Sequence, residues 1–98
     1  MNRQQALQTL SENRNQLKGF LVKDLYLFGS VVRDEAIDDS DVDILVEFEP
    51  NAKIGLFQFA RLQRFLSESL ECNVDLATPD ALHKHLKEDI LKEAIHAA

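Results

Sequence analysis

One cysteine, two prolines, three glycines and no tryptophan occur in 98 residues, and each scarcity removes an architecture. A lone Cys72 cannot close an internal disulfide, which excludes a small secreted scaffold held by bridges. So little proline and glycine, beside 45% apolar and 29% charged residues, excludes collagen-like and low-complexity chains and fits ordinary globular composition. No apolar run approaches the roughly 18 residues that span a bilayer. Met1-Asn2-Arg3-Gln4-Gln5 leads into a helical pattern without a signal-peptide core. Basic side chains are the minority, 11 against 17 acidic, for a formal charge of -6. No positive field therefore exists to gather phosphate backbones, and broad nucleic-acid binding is disfavoured. The expectation is one domain over residues 1–98, cytoplasmic, with no membrane association.

Apolar periodicity supplies the elements. Leu7, Leu10, Leu17 and Leu21 recur near a spacing of 3.6, which predicts an amphipathic helix over residues 2–18 ending at Gly19. Leu25-Tyr26-Leu27-Phe28 is a short apolar run that reads as a central strand buried on both faces. Residues 41–49 separate by parity: Val42, Ile44, Val46 and Phe48 are apolar, while Asp41, Asp43, Glu47 and Glu49 are acidic and only Leu45 breaks the pattern. That alternation predicts a strand in a sheet with one covered face and one face open to water. Residues 51–70 read as a helix burying Leu56, Phe59, Ala60, Leu62, Phe65, Leu66 and Leu70. Asn73-Val74-Asp75-Leu76-Ala77 reads as another alternating strand. Thr78 and Pro79 then predict the N-cap and first position of a last helix carrying Leu82, Leu86, Ile90, Ala94 and Ile95 inward. With a one-turn helix at residues 31–35, the order is helix, strand, short helix, strand, helix, strand, helix. The fold class is α/β (α+β), a small mixed β-sheet with helices on one face.

Two short motifs carry chemistry. Gly29-Ser30 follows the first strand, where a turn into a helix presents unpaired backbone N–H groups that can hold a phosphate. Gly29 permits close approach, Ser30 adds a hydroxyl, and the partial positive charge of the helix start favours an anion. By itself Gly-Ser at a strand end is more often only a turn. Asp41 and Asp43 stand two apart on a strand, so both leave one face with Cα atoms about 6.5 Å apart. Such a pair can share a divalent cation or form part of a solvated face. Ten residues separate the two motifs, enough for one helical turn and a loop back to a neighbouring strand, which would bring phosphate turn and carboxylate pair together.

Gly29-Ser30 followed by Asp41-Val42-Asp43 resembles the signature of the DNA polymerase beta nucleotidyltransferase superfamily. Residues 25–46 are most similar to its minimal nucleotidyltransferases. Their motif usually reads Gly-Ser-x-Ala-Arg-Gly; here it reads Gly29-Ser30-Val31-Val32-Arg33-Asp34, so Arg33 matches while Val32 and Asp34 depart. The resemblance implies a polymerase-beta-like core. It also implies a third carboxylate on a later strand, for which Asp75 is the candidate, with Asp41, Asp43 and Asp75 holding two Mg²⁺ ions that bridge the triphosphate of ATP. Gly29, Ser30 and Arg33 would bind the nucleotide; Arg33 is equally suited to a salt bridge with Asp34, Glu35 or Asp38. The activity implied is Mg²⁺-dependent transfer of AMP from ATP to a hydroxyl. Relatives of this size resemble antitoxins paired with all-helical HEPN ribonuclease toxins, some of which they adenylylate on tyrosine. A HEPN-type toxin, in a hetero-oligomer, is thus the expected partner. The alternatives are neutralisation by contact alone, or AMP transfer to a small molecule. Cys72 reads as a small buried hydrophobe, and His83, His85 and His96 are assigned no chemistry.

Overall fold

The computed structural model describes residues 2–33, 41–82 and 84–98. Helix α1 (Arg3–Glu12) opens on a capping box: the Asn2 side chain accepts from the Gln5 N–H at 2.8 Å, and the Gln5 side chain accepts from the Asn2 N–H at 3.1 Å. The expected continuous first helix is two helices. Asn13 leaves helical geometry and its side chain donates to the Thr9 carbonyl at 2.8 Å, a local bond that competes with the helical ladder, so α2 (Arg14–Gly19) starts afresh. Leu10 and Leu17 are buried as the periodicity requires and Ala6 is buried beside them, whereas Leu7 is half-buried and Leu21, expected on the same stripe, is 40% exposed. Leu21 adopts a left-handed φ of 65° where the chain turns into strand β1 (Val22–Phe28).

β1 begins three residues earlier than the apolar run suggested. It is also covered on one face only: Leu25 and Leu27 are buried while Tyr26 and Phe28 are half-buried. A single 3₁₀ turn, Gly29–Val31, follows. The predicted helix at 31–35 falls partly on residues 34–40, which lie outside the described residues, as do Asp34, Glu35 and Asp38. Strand β2 (Val42–Phe48) is antiparallel to β1, and helix α3 (Leu56–Leu70) crosses over to β3 (Val74–Ala77), which lies parallel to β2. The parity reading of β2 holds: Val42, Ile44 and Val46 are buried in the core. Leu45, the exception in the pattern, is fully buried although it leaves on the side of Asp43 and Glu47, so that face is not wholly open.

α3 starts at Leu56, five residues after the expected start, because Gly55 is its N-cap. Leu56 is consequently 80% exposed and Ala60 is exposed, while Leu62, Leu66 and Leu70 carry the buried stripe and Phe65 stacks against Phe20 with ring centroids 5.2 Å apart. Thr78 and Pro79 do start a helix, but only the 3₁₀ turn Pro79–Ala81; Leu82 is extended, and helix α4 (Lys84–Glu93) forms separately. None of the described α4 residues is buried, and Leu86, expected inward, is 57% exposed. Ile95 is not helical either. It belongs to strand β4 (Ile95–His96), antiparallel to β1, with Ala97 N–H donating to the Leu25 carbonyl at 2.7 Å. The mixed four-stranded sheet thus runs β3-β2-β1-β4, with β4 covering the edge that β1 would otherwise expose. The core lies between the sheet and α1, α2 and α3. No helix among the described residues is long and apolar enough to cross a membrane.

Candidate active site

Strand register assembles the site. β1 and β2 pair Phe28 with Asp43, which sets the next residue, Gly29, against the Asp43 side chain. β2 and β3 pair Asp43 with Asp75, so these carboxylates leave the same face of neighbouring parallel strands. Asp41 lies one residue before β2 and is exposed. Gly29 is buried and adopts a φ of +75°, and a Cβ built on it would overlap the Asp43 carboxylate. Glycine is needed there for both conformation and space.

Crowding of like charge shows in Asp43. Its pKa is pushed up from 3.8 to about 6, first by desolvation, then by the neighbouring Asp75 and Asp41 charges and a hydrogen bond with Asp75, against a smaller opposing pull from Arg33. A carboxyl made hard to ionise first by burial and then by two neighbouring carboxylates forms, with them, a set of hard oxygen donors short of positive charge. That donor chemistry fits Mg²⁺, which takes one or two carboxylates together with substrate phosphates. No group of three histidine, cysteine, aspartate or glutamate side chains among the described residues is already arranged around an ion position. Asp43 and Asp75 stand paired across adjacent strands, and Asp41 lies at the strand end, adding its charge.

Gly29 also meets a second acidic side chain, from the end of α4. The Gly29 N–H donates to Glu93 Oε1 at 3.0 Å, and Arg33 Nη1 donates to Oε1 at 3.1 Å and Oε2 at 2.9 Å. The Gly29 N–H and the Arg33 guanidinium thus converge on one anionic group, the Glu93 carboxylate. Ser30, half-buried, stands between them in the 3₁₀ turn. Arg33 pairs with Glu93, sixty positions away, which sequence reasoning missed; the partners expected from the sequence, Asp34, Glu35 and Asp38, lie outside the described residues. Glu93 ends α4 with no motif around it, and only the fold brings it to the turn.

Cys72 is half-buried and its thiol pKa is raised, chiefly by burial, which keeps it a thiol rather than a nucleophile. His96 pairs with Asp24 at 2.9 Å at the sheet edge, away from the carboxylates; His85 is exposed on α4, and His83 lies outside the described residues.

A mixed sheet that sets a Gly-Ser turn beside carboxylates on two adjacent strands defines an enzyme of the nucleotidyl-transferring class. Residues 7–96 match the model of the nucleotidyltransferase domain, and the chain belongs to that family. It is 39% identical over 77 residues to the protein adenylyltransferase MntA of Thermococcus cleftensis, covering 79% of this chain and 76% of that one. A solved minimal nucleotidyltransferase superposes with a TM-score of 0.81 at 33% identity, over 97% of this chain and 95% of that one. The fold also recurs, with a TM-score of 0.59 and 19% identity over 91% of this chain and 71% of the other, in the complex of a tri-AMPylated Shewanella oneidensis HEPN toxin with its MNT antitoxin.

Proposed function

We propose that this chain is a Mg²⁺-dependent adenylyltransferase that moves AMP from ATP to a hydroxyl, a tyrosine, of a helical HEPN-type toxin, and so acts as the antitoxin of a two-component system. The observation that carries this reading is the register Phe28–Asp43–Asp75, which sets a carboxylate pair against a glycine turn that already holds an anionic group. In this reading Gly29, Ser30 and Arg33 bind the phosphates, and Asp41, Asp43 and Asp75 are the catalytic and metal-binding carboxylates. When bound between them, Mg²⁺, in two ions, supplies the positive charge that offsets both the triphosphate and the crowded aspartates.

The transfer forms one bond between the acceptor oxygen and the α-phosphorus and breaks one bond from that phosphorus to the leaving pyrophosphate. The acceptor must come within about 3 to 3.5 Å, opposite the leaving group. Asp75 takes the hydroxyl proton, and Arg33 steadies the negative charge leaving with pyrophosphate. Attack opposite the leaving group requires the acceptor to approach over the carboxylate face, where a docked partner would present it. A charge of -6 favours long-range attraction to a basic RNA-cleaving protein, in a cytoplasm that keeps Cys72 reduced. The relative named as a protein adenylyltransferase and the fold shared with the MNT antitoxin of an AMPylated HEPN toxin support the same reading.

The test is intact-mass spectrometry of the helical partner, co-purified with this chain and incubated with and without ATP and Mg²⁺. An AMP-sized increase on the partner, dependent on both, is expected. Protection from the toxin without any mass increase would replace the reading with neutralisation by contact.

A further inference from the structure

Glu93 holds the donors that a nucleotide phosphate would need. One of its oxygens accepts from the Gly29 N–H at 3.0 Å and both accept from the Arg33 guanidinium, at 3.1 and 2.9 Å. An N–H aimed at one carboxylate oxygen cannot serve a phosphate oxygen at full strength as well. We propose that Glu93 is a built-in competitor of the substrate: its carboxylate occupies the anion position of the Gly29 and Arg33 cradle, and the triphosphate must displace it, releasing the C-terminal end of α4. This rests on the reading that the cradle takes nucleotide phosphate.

Three features make the displacement feasible. Glu93 is the last residue of α4, where the helix dipole disfavours a negative side chain, so its position depends on the cradle rather than on its own helix. None of the described α4 residues is buried, and Leu86 and Leu91 are 57% and 48% exposed, so lifting this helix exposes little apolar surface. The exchange also substitutes one anion for another at Arg33, leaving the guanidinium compensated. The strand that follows, β4, remains attached to β1 through the Leu25 and Ala97 backbone bond, so α4 can swing without detaching the end of the chain.

The experiment is calorimetric titration with α,β-methylene ATP and Mg²⁺, and separately with inorganic tripolyphosphate and Mg²⁺, of the wild type and three variants. Glu93→Gln removes the charge that holds the cradle; Glu93→Ala removes the acceptor too. Glu88→Gln removes an equal charge from another side of the same helix and controls for long-range electrostatics. Circular dichroism melts establish that each variant is folded. Both Glu93 variants should bind either ligand roughly three- to tenfold more tightly, the scale of losing a partly exposed charge-assisted competitor, and Glu88→Gln should change binding less than about twofold. Hydrogen exchange of α4 amides should accelerate when the wild type binds nucleotide and should already be fast in Glu93→Gln. Wild-type binding with equal or weaker binding by the Glu93 variants would overturn the competitor and make Glu93 a positioning residue for Arg33. Absence of binding in the wild type and in every variant would overturn the nucleotide reading itself.

Discussion

Gly29 and Asp43 approach so closely that a single methyl group on the glycine would overlap the carboxylate of the aspartate. The contact follows from strand pairing, because Phe28 is the register partner of Asp43 and Gly29 is the next residue along. The turn that offers an N–H to an anion and the carboxylate that could meet a cation thus share one backbone position.

Gly29→Ala should damage stability and binding together. The substitution places a Cβ at φ +75°, costing about 1 to 2 kcal/mol, and forces Asp43 aside. Urea denaturation should show a loss of at least about 2 kcal/mol, with nucleotide binding lost even below the midpoint. An alanine variant as stable as the wild type would mean that the turn relaxes freely and that its tight approach is not required.

Asp43→Asn should stabilise the protein at neutral pH. The native pKa of about 6, against an ordinary 3.8, means that the folded chain holds this proton more tightly than the unfolded one. The contribution of this group to stability is therefore fully present below about pH 4 and is lost as the pH rises through 6. Asparagine removes the ionisation. Discounted for solvent screening of a half-exposed group, the gain at pH 7.5 is about 1 kcal/mol, or roughly 4 °C in Tm, vanishing near pH 4. Thermal melts of both proteins across pH 4 to 8 check it, and AMP transfer by the variant should be abolished.

Where a feature is local and periodic, the sequence displays it. Parity alone located β2 and its buried Val42, Ile44 and Val46, and the Gly-Ser turn and Asp-x-Asp pair were visible as letters on two strand ends. Features that depend on a competing backbone bond or a distant partner were not. The break at Asn13 comes from a side chain outcompeting the helical ladder, and Asn2 with Gln5 was a readable capping box that apolar periodicity alone overlooks. β4 exists because the edge of β1 needs a partner, so Ile95, which continues a helical stripe in sequence, is drawn into a strand. Glu93 reaches Arg33 across sixty positions, and no local pattern encodes that pairing.

The late start of α3 gives a contrast between two leucines of one apparent stripe. Leu66→Ala, at a fully buried position, should cost about 2 to 5 kcal/mol through lost burial and a residual cavity. Leu56→Ala, at a position 80% exposed, should change stability by less than about 0.5 kcal/mol. Denaturant midpoints of the pair decide it, and a large loss at Leu56 would place the helix start back toward Asn51.

Asp75→Asn separates catalysis from assembly. Asp75 pairs in register with Asp43 and is exposed on the carboxylate face, so an isosteric amide leaves the packing of Val74 and Leu76 beneath it intact. The fold should persist, and so should the complex with the proposed toxin partner, which size-exclusion chromatography would show as co-elution at the wild-type position. Under the proposed function Asp75 takes the hydroxyl proton and holds a cation, so without its carboxylate AMP transfer to the partner should fall by at least about a hundredfold. Toxin neutralisation in growing cells should fall in step with that loss, because an assembled but unmodified toxin would regain activity whenever the complex dissociates. Full protection by Asp75→Asn, with the partner at its unmodified mass, would assign neutralisation to contact and leave the carboxylates a structural role.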